Sequence, residues 1–195
     1  MLRDAMRSRP ALPALLLLAL AAAPPLAAAE RTLRLDPAAT TIRFRVQARA
    51  HQVVGTMPLV SGELRFDSAT GAASGEIVMD PAKAVTGIGK RDRTMRAVVF
   101  EVERFPLVVF RPRAVVGEVP EQGEGEVRLD GTLAIHGGEH SLSLPVTVQA
   151  GASGILATTT FEVPYVAWGM TNPGNAMLRV SDTVGVRIEM RGTLQ

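Results

Sequence analysis

Apolar and polar residues alternate along most of the chain. Between residues 41 and 49, Ile42, Phe44 and Val46 alternate with Arg43 and Arg45. Successive side chains of a β-strand point to opposite faces, so this pattern predicts a strand with one buried and one solvated face. The alternation recurs in further segments, at residues 62–67, 76–80, 108–110, 127–135, 142–148, 161–163 and 184–190. About eight amphipathic strands joined by short turns predict an all-β domain, either a closed antiparallel barrel or a sandwich.

The segments 127–135 and 142–148 are predicted to pair as a hairpin. The turn between them, His136-Gly137-Gly138-Glu139, carries glycine where a positive φ is needed. His136 and His140 are four residues apart, a spacing that on a helix would place two imidazoles together for a metal. Because the glycines between them indicate a turn, an exposed turn is the preferred interpretation.

One helical segment interrupts the strands, between Thr86 and Phe110. Its apolar residues fall three, four and seven positions apart, at Ile88, Met95, Val98 and Val99. This spacing predicts a short helix with one apolar face. The helix also carries a charge cluster, Lys90, Arg91, Asp92, Arg93 and Arg96. We interpret it as a cover on the barrel, with the adjacent charges of Arg91 and Asp92 tying its start to the rim rather than contacting a ligand.

The first 29 residues are typical of a cleavable secretory signal. Arg3, Arg7 and Arg9 precede an apolar run from Ala11 to Ala23, and an A-x-A cleavage site ends at Ala29. The run is too short for a membrane-spanning helix. The predicted organisation is therefore a signal peptide, residues 1–29, followed by one domain, residues 30–195. A secreted, periplasmic location is expected.

Charge and cysteine content exclude several classes of function. Three of the 21 basic residues and one of the 19 acidic residues lie in the predicted signal, so the remainder carries equal numbers of each. A neutral, mixed surface does not favour nucleic-acid binding, which needs a basic patch. The chain has no cysteine, which excludes thiol catalysis and cysteine-based metal sites.

No catalytic motif is found. The fragment Gly87-Ile88-Gly89-Lys90 lacks the first glycine and the final Ser or Thr of a phosphate-binding loop, since Ala84 and Arg91 stand at those positions. A G-x-S-x-G nucleophile elbow does not occur. We therefore predict a protein that is not an enzyme, with no catalytic residue, no metal ligand and no cofactor.

Several short motifs, in order, resemble the YceI-like proteins. They are D-P-A-x-[ST]-x-I-x-F from Asp36, V-x-G from Val53, G-x-[IL]-x-F-D from Gly62, T-G at Thr86, R-D at Arg91, F-P-x-[IV]-x-F from Phe105 and G-x-L-x-I-x-G from Gly131. The resemblance spans residues 31–194. The resemblance implies a lipocalin-like, eight-stranded antiparallel β-barrel with one short helical insertion. It also implies that the protein is exported to the periplasm and binds a polyisoprenoid in the lumen of the barrel. The chain departs from the family's histidines at Ala39-Thr40 and Thr94.

The inward-facing apolar residues fit either a packed core or a lined cavity, and the resemblance favours the cavity. The expected ligand-binding lumen comprises Phe44, Val46, Leu64, Phe66, Ile77, Met79, Met95, Val98, Phe110, Leu133, Leu144, Phe161 and Trp168. The expected rim and helix anchors are Gly87, Arg91, Asp92 and Tyr165.

The expected function is that of a periplasmic binding or carrier protein for a polyisoprenoid or similar long-chain amphiphile. The partner would be an isoprenoid quinone, its precursor or another amphiphile. A homodimer is a candidate assembly. We expect neither a nucleic-acid partner nor a stable membrane span. The alternative is a stress-related periplasmic interaction protein whose barrel is packed and holds no ligand.

Overall fold

Antiparallel strands make up nearly all of the regular structure. The computed structural model describes residues 30–49, 51–175 and 179–195, and the predicted signal peptide lies outside this part of the chain. The strands are β1 (Glu30–Leu35), β2 (Thr41–Ala48), β3 (Gln52–Met57), β4 (Leu59–Asp67), β5 (Ala73–Met79), β6 (Val108–Val116), β7 (Gly123–Ile135), β8 (Gly138–Gly151), β9 (Gly154–Val163) and β10 (Val180–Leu194).

The sheet closes on itself through the last strand. β10 pairs with β9 along one edge, and along its other edge it pairs first with β2 and then with β1. Val186 lies opposite Phe44 of β2, and Gly192 lies opposite Leu35 of β1. β1 and β2 thus lie end to end, as do β3 and β4, so the strands of the described chain occupy eight positions around a barrel. The prediction of an all-β, eight-stranded antiparallel barrel is confirmed.

The helical segment lies beside β3, where the sheet has no further strand. A short 3-10 helix, Pro81–Lys83, leads into the strand-like residue Val85, which exchanges two backbone hydrogen bonds of 2.9 Å with Thr56 of β3. Helix α1 (Gly89–Thr94) follows and continues directly into a π-helical turn, Met95–Val99. The predicted helical insertion is therefore present, and the segment before it replaces a missing strand neighbour.

The turn between β7 and β8 has the predicted backbone but not the predicted exposure. His136 and Gly137 have φ values of +50° and +76°, as a two-residue hairpin turn requires. The His136 ring is nevertheless largely buried, because it packs against Phe105 at 4.6 Å between ring centroids and its Nε2 lies 3.3 Å from Glu101 Oε1. The expectation of an exposed turn is wrong for this side chain, since the loop after the π-helical turn folds over it.

Two strand glycines make room for aromatic rings. A Cβ at Gly131 would overlap the ring of Phe110 and lie 2.6 Å from the carbonyl oxygen of Arg111. Gly55, directly opposite Phe44 in the β2–β3 pair, accommodates the Phe44 ring in the same way. Glycine within a strand marks a close approach of this kind, and here it lets large side chains lie flat against the barrel wall.

The barrel interior is packed at one end and hollow at the other. The end near β1 and β4 holds Leu33, Leu35, Leu64 and Phe66 around a void of only about 50 Å³. The end near β2 and the helical segment contains a much larger cavity. Residues common to both linings, including Leu129, Val146 and Met190, mark the boundary between the two. Packed core and cavity are therefore both present, in series along the barrel axis.

Candidate functional site

The cavity at the hollow end is the candidate functional site, and we call it the lumen. Its volume is about 490 Å³, within the roughly 300–1,000 Å³ typical of small-molecule pockets. Side chains from every strand from β2 to β10 line it, and Met95, Val99 and Phe100 close it from the helical segment. Nearly all of these side chains are apolar, so the lumen is suited to a hydrocarbon chain.

Most of the predicted lumen residues lie on this wall. Their inward orientation follows directly from the period-two alternation of the strands, and from the helical spacing for the one helical residue. They are Phe44, Val46, Ile77, Met79, Met95, Phe110, Leu133, Leu144 and Phe161.

Four predicted lumen residues lie elsewhere. Leu64 and Phe66 point inward but belong to the packed end, because they lie in the part of β4 that pairs with β1, whereas Leu59 at the start of β4 lines the lumen. Val98 is 42% exposed. The helix there forms an i to i+5 hydrogen bond, Phe100 N to Met95 O at 2.9 Å, and this wider turn carries Val98 off the inner face. Trp168 is not on the lumen wall, since its ring stacks on His140 at 4.0 Å between centroids.

Sequence reasoning missed a second group of lining residues. Val184, Val186 and Ile188 belong to the predicted strand at residues 184–190, and their alternation is a sufficient signal for an inward orientation. Met57 and Met170 come from the β3 end and from the loop after β9, where no periodic signal exists. Methionine adapts to irregular surfaces, so these side chains suit a wall that must fit a flexible chain.

Asp92 anchors the start of the helix to the preceding loop. Its Oδ1 accepts a hydrogen bond of 2.8 Å from Thr86 N and a second from Thr86 Oγ1. Arg91 completes the connection, donating from Nε to Thr86 Oγ1 at 2.7 Å and from an Nη to Thr86 O at 2.9 Å. Both predicted anchors therefore contact one residue, Thr86, rather than each other.

The charge state of Asp92 follows from these contacts. The side-chain hydrogen bond from Thr86 lowers the pKa of Asp92 below its ordinary value of 3.8. The Thr86 backbone N–H and the charges of Arg96 and Arg91 act in the same direction, while burial opposes them. The carboxylate therefore stays ionised at neutral pH and holds the helix start as an anion.

Gly87 and Tyr165 stabilise the rim in different ways. Gly87 has a φ of +82°, which lets the chain turn between Thr86 and the helix. Tyr165 lines the lumen and donates its hydroxyl proton to Ser181 O at 2.9 Å, which ties the loop after β9 to the start of β10. Burial, together with the charge of Asp182, raises the pKa of Tyr165 to about 12, so the phenol remains a donor.

Thr159 places an unpaired hydroxyl on the lumen wall. It is only 3% exposed, and within the described residues its Oγ1 has no hydrogen-bond partner. We expect Thr159→Val to raise the free energy of unfolding by about 1 kcal/mol, because the unmet desolvation of the hydroxyl is removed at nearly constant shape. Urea unfolding measures the change. The matched control is Thr160→Val, an exposed neighbour, for which a change within about 0.5 kcal/mol is expected. A less stable Thr159→Val protein would contradict the assignment.

The described residues contain no group of three or more His, Asp or Glu side chains arranged to hold a metal ion. Among these same residues, no helix has the length and hydrophobicity needed to cross a bilayer.

The fold and the lumen together define a class: closed antiparallel barrels with an apolar internal cavity capped by a short helix. A family model described as the YceI-like domain matches residues 33–191. The chain belongs to this family. No curated protein matches the sequence.

Solved structures share the fold at low sequence identity. Burkholderia cenocepacia BcnA is 17% identical with a TM-score of 0.68, covering 83% of this chain and 99% of its own. A polyisoprenoid binding domain from Saccharophagus degradans is 20% identical with a TM-score of 0.64, covering 83% of this chain and 97% of its own. The Campylobacter jejuni YCEI protein is 17% identical with a TM-score of 0.58, and the match covers 74% of this chain and 86% of that protein.

Proposed function

We propose that this protein is a periplasmic binding or carrier protein for a polyisoprenoid or similar long-chain amphiphile. The observation that carries the proposal is the apolar lumen of about 490 Å³. The similar fold of a domain described as polyisoprenoid binding supports it. A quinone, a quinone precursor or another prenyl amphiphile would enter with its chain inside the barrel.

The lumen can bind such a chain without strong polar contacts. Burial of each methylene contributes about 0.8 kcal/mol, so even a dozen buried carbons offset the ordering costs of association. Residues such as Met79, Leu133 and Phe161 provide apolar contacts around the chain. We include a non-enzymatic role in the proposal because binding of this kind requires an apolar wall and no reacting group.

A packed barrel without a ligand is the weaker alternative. That hypothesis requires the inward-facing side chains to fill the interior, and they do so only at the end near β1 and β4. At the other end the interior is hollow. The cavity therefore favours the carrier hypothesis over a solid interaction module.

The test is to express the chain with residues 1–29 in a bacterial host and to purify it from the periplasmic fraction. We expect native mass spectrometry to show a protein that begins at Glu30 with a bound lipid, which organic extraction then identifies as a prenyl or other long-chain amphiphile. Ligand-free protein that also fails to bind geranylgeraniol in a fluorescence or calorimetric assay would overturn the proposal. Retention in the cytoplasm would overturn the proposed location alone.

A further inference from the structure

Four lining residues of the lumen are exposed in the part of the chain that the structure describes, namely His51, Ile88, Lys90 and Pro173. We call these four residues the mouth. His51 lies just before β3, and Ile88 and Lys90 lie at the start of α1. A chain that fills the lumen therefore leaves its head group beside the start of the helix.

The mouth carries positive charge. The ionisable lining residues in the described chain are His51, Lys90, Arg91 and Tyr165, and no Asp or Glu is among them. Thr86 and Thr94 add hydroxyl groups near the same place. In the described chain, the polar part of the wall therefore contains the cations Lys90 and Arg91 and no carboxylate. The hydroxyls of Thr86, Thr94 and Tyr165 already donate to acceptors within the protein.

The nearest carboxylate along the chain does not neutralise the mouth. Asp92 is buried, and its Oδ1 is occupied by Thr86 N and Oγ1. The neighbouring cations are Lys90, Arg91, Arg93 and Arg96, four positive charges against one negative. The start of the helix therefore carries an excess of positive charge.

Two of these cations retain free donors at the mouth. Within the described residues, Lys90 Nζ makes no hydrogen bond or ion pair. Arg91 uses Nε and one Nη on Thr86, and its other Nη has no protein partner there. These contacts also hold the Arg91 guanidinium in place, so its remaining donors are preorganised.

We propose that the amphiphile bound by this protein has an anionic head group, a phosphate or a carboxylate, which Lys90 and Arg91 hold at the mouth while the chain lies in the lumen. The inference rests on the proposed function and deepens it. An ammonium and a fixed guanidinium form charge-assisted hydrogen bonds with phosphate or carboxylate oxygens, and these are stronger than bonds to a neutral carbonyl or hydroxyl. An anionic prenyl lipid therefore binds more tightly than its neutral counterpart with the same chain.

The experiment compares ligands that differ only in the head group. The affinities of geranylgeraniol, geranylgeranyl monophosphate and geranylgeranoic acid are measured for delipidated protein by calorimetry or fluorescence. We expect the two anionic lipids to bind about tenfold more tightly than the alcohol. Inorganic phosphate alone is a further arm, and we expect it to bind far more weakly than the prenyl monophosphate.

Two charge-reversal variants separate the mouth from the general charge of the helix. Lys90→Glu is expected to lower the ratio of the affinity for the monophosphate to the affinity for the alcohol by about tenfold. Arg93→Glu changes the net charge equally, but Arg93 is exposed and is not a lining residue. We therefore expect it to alter both affinities by less than about threefold.

Each outcome supports or overturns the inference. Equal binding of the alcohol and the anionic lipids, equal effects of the two variants, or inorganic phosphate as tightly bound as the prenyl monophosphate would each overturn it. In the first two cases the proposed lipid-binding function would stand. Failure of every prenyl lipid to bind would overturn the proposed function instead.

Discussion

Val186→Trp is expected to lower the affinity for geranylgeraniol by about 100-fold while the barrel remains folded. Val186 lies on β10 between Phe44 of β2 and Phe161 of β9, and all three side chains line the lumen. An indole at this position extends into the space that the ligand chain would occupy. If the indole displaces about four methylenes of the ligand from the lumen, at about 0.8 kcal/mol each, binding becomes less favourable by about 3 kcal/mol.

The fold is expected to tolerate the change because the lumen can accept the added volume. Val186 is only half-buried, and the cavity beside it holds about 490 Å³. The measurements are calorimetric titration with the alcohol and thermal unfolding of the free protein. A variant that is as stable as the parent and has lost affinity would locate the chain in the lumen.

The matched control is Val54→Trp. Val54 is 47% exposed on β3 and is not on the lumen wall. We expect the affinity of the Val54→Trp protein for geranylgeraniol to remain within about twofold of the parent's affinity, because the indole points to solvent. Unchanged binding by Val186→Trp, or equal losses in both variants, would contradict a binding site inside the barrel.

Phe110→Ala is expected to lower the free energy of unfolding by about 3 kcal/mol. Phe110 is 5% exposed, lies opposite Leu133 in the β6–β7 pair and has its ring packed over Gly131. Removing the ring eliminates buried apolar surface and extends the cavity toward Gly131. Phe→Ala substitutions in cores cost about 3–5 kcal/mol, and the lower value applies here because the ring already adjoins a cavity.

Urea unfolding of delipidated protein measures this loss, since a bound lipid would add its own stabilisation. Leu107→Ala is the control, because Leu107 lies just before the same strand and is 46% exposed. A change within about 0.5 kcal/mol is expected there. A loss below about 1 kcal/mol for Phe110→Ala would show that the ring does not pack against the β7 wall.

The strand faces and the hairpin could be predicted because they depend on local backbone geometry. In β2, alternation alone places Phe44 and Val46 inside and Arg43 and Arg45 outside, as the structure has them. The positive φ of Gly137 follows from the turn chemistry in the same way. The role of the strand glycines was not predicted, although Gly131 within a strand is a signal of close approach.

The helical segment shows where local pattern becomes insufficient. The spacing of Met95 and Val99 correctly places both on the inner face. Regular α-helical geometry predicts Val98 on the same face, but the π-helical turn moves it off that face. Arg91 and Asp92 were correctly associated with the rim, but their common partner, Thr86, is fixed by the folded loop.

The all-β class, the direction of most side chains and the helical insertion follow from local sequence, because periodicity and turn residues act over a few positions. Which inward-facing residues line a cavity depends on the packing of distant strands. Leu64 and Phe44 have the same alternating pattern, yet one lies in the packed end and the other in the lumen. The difference depends on how β1 and β2 divide the edge of β10 between them, which sets what each side chain meets across the barrel.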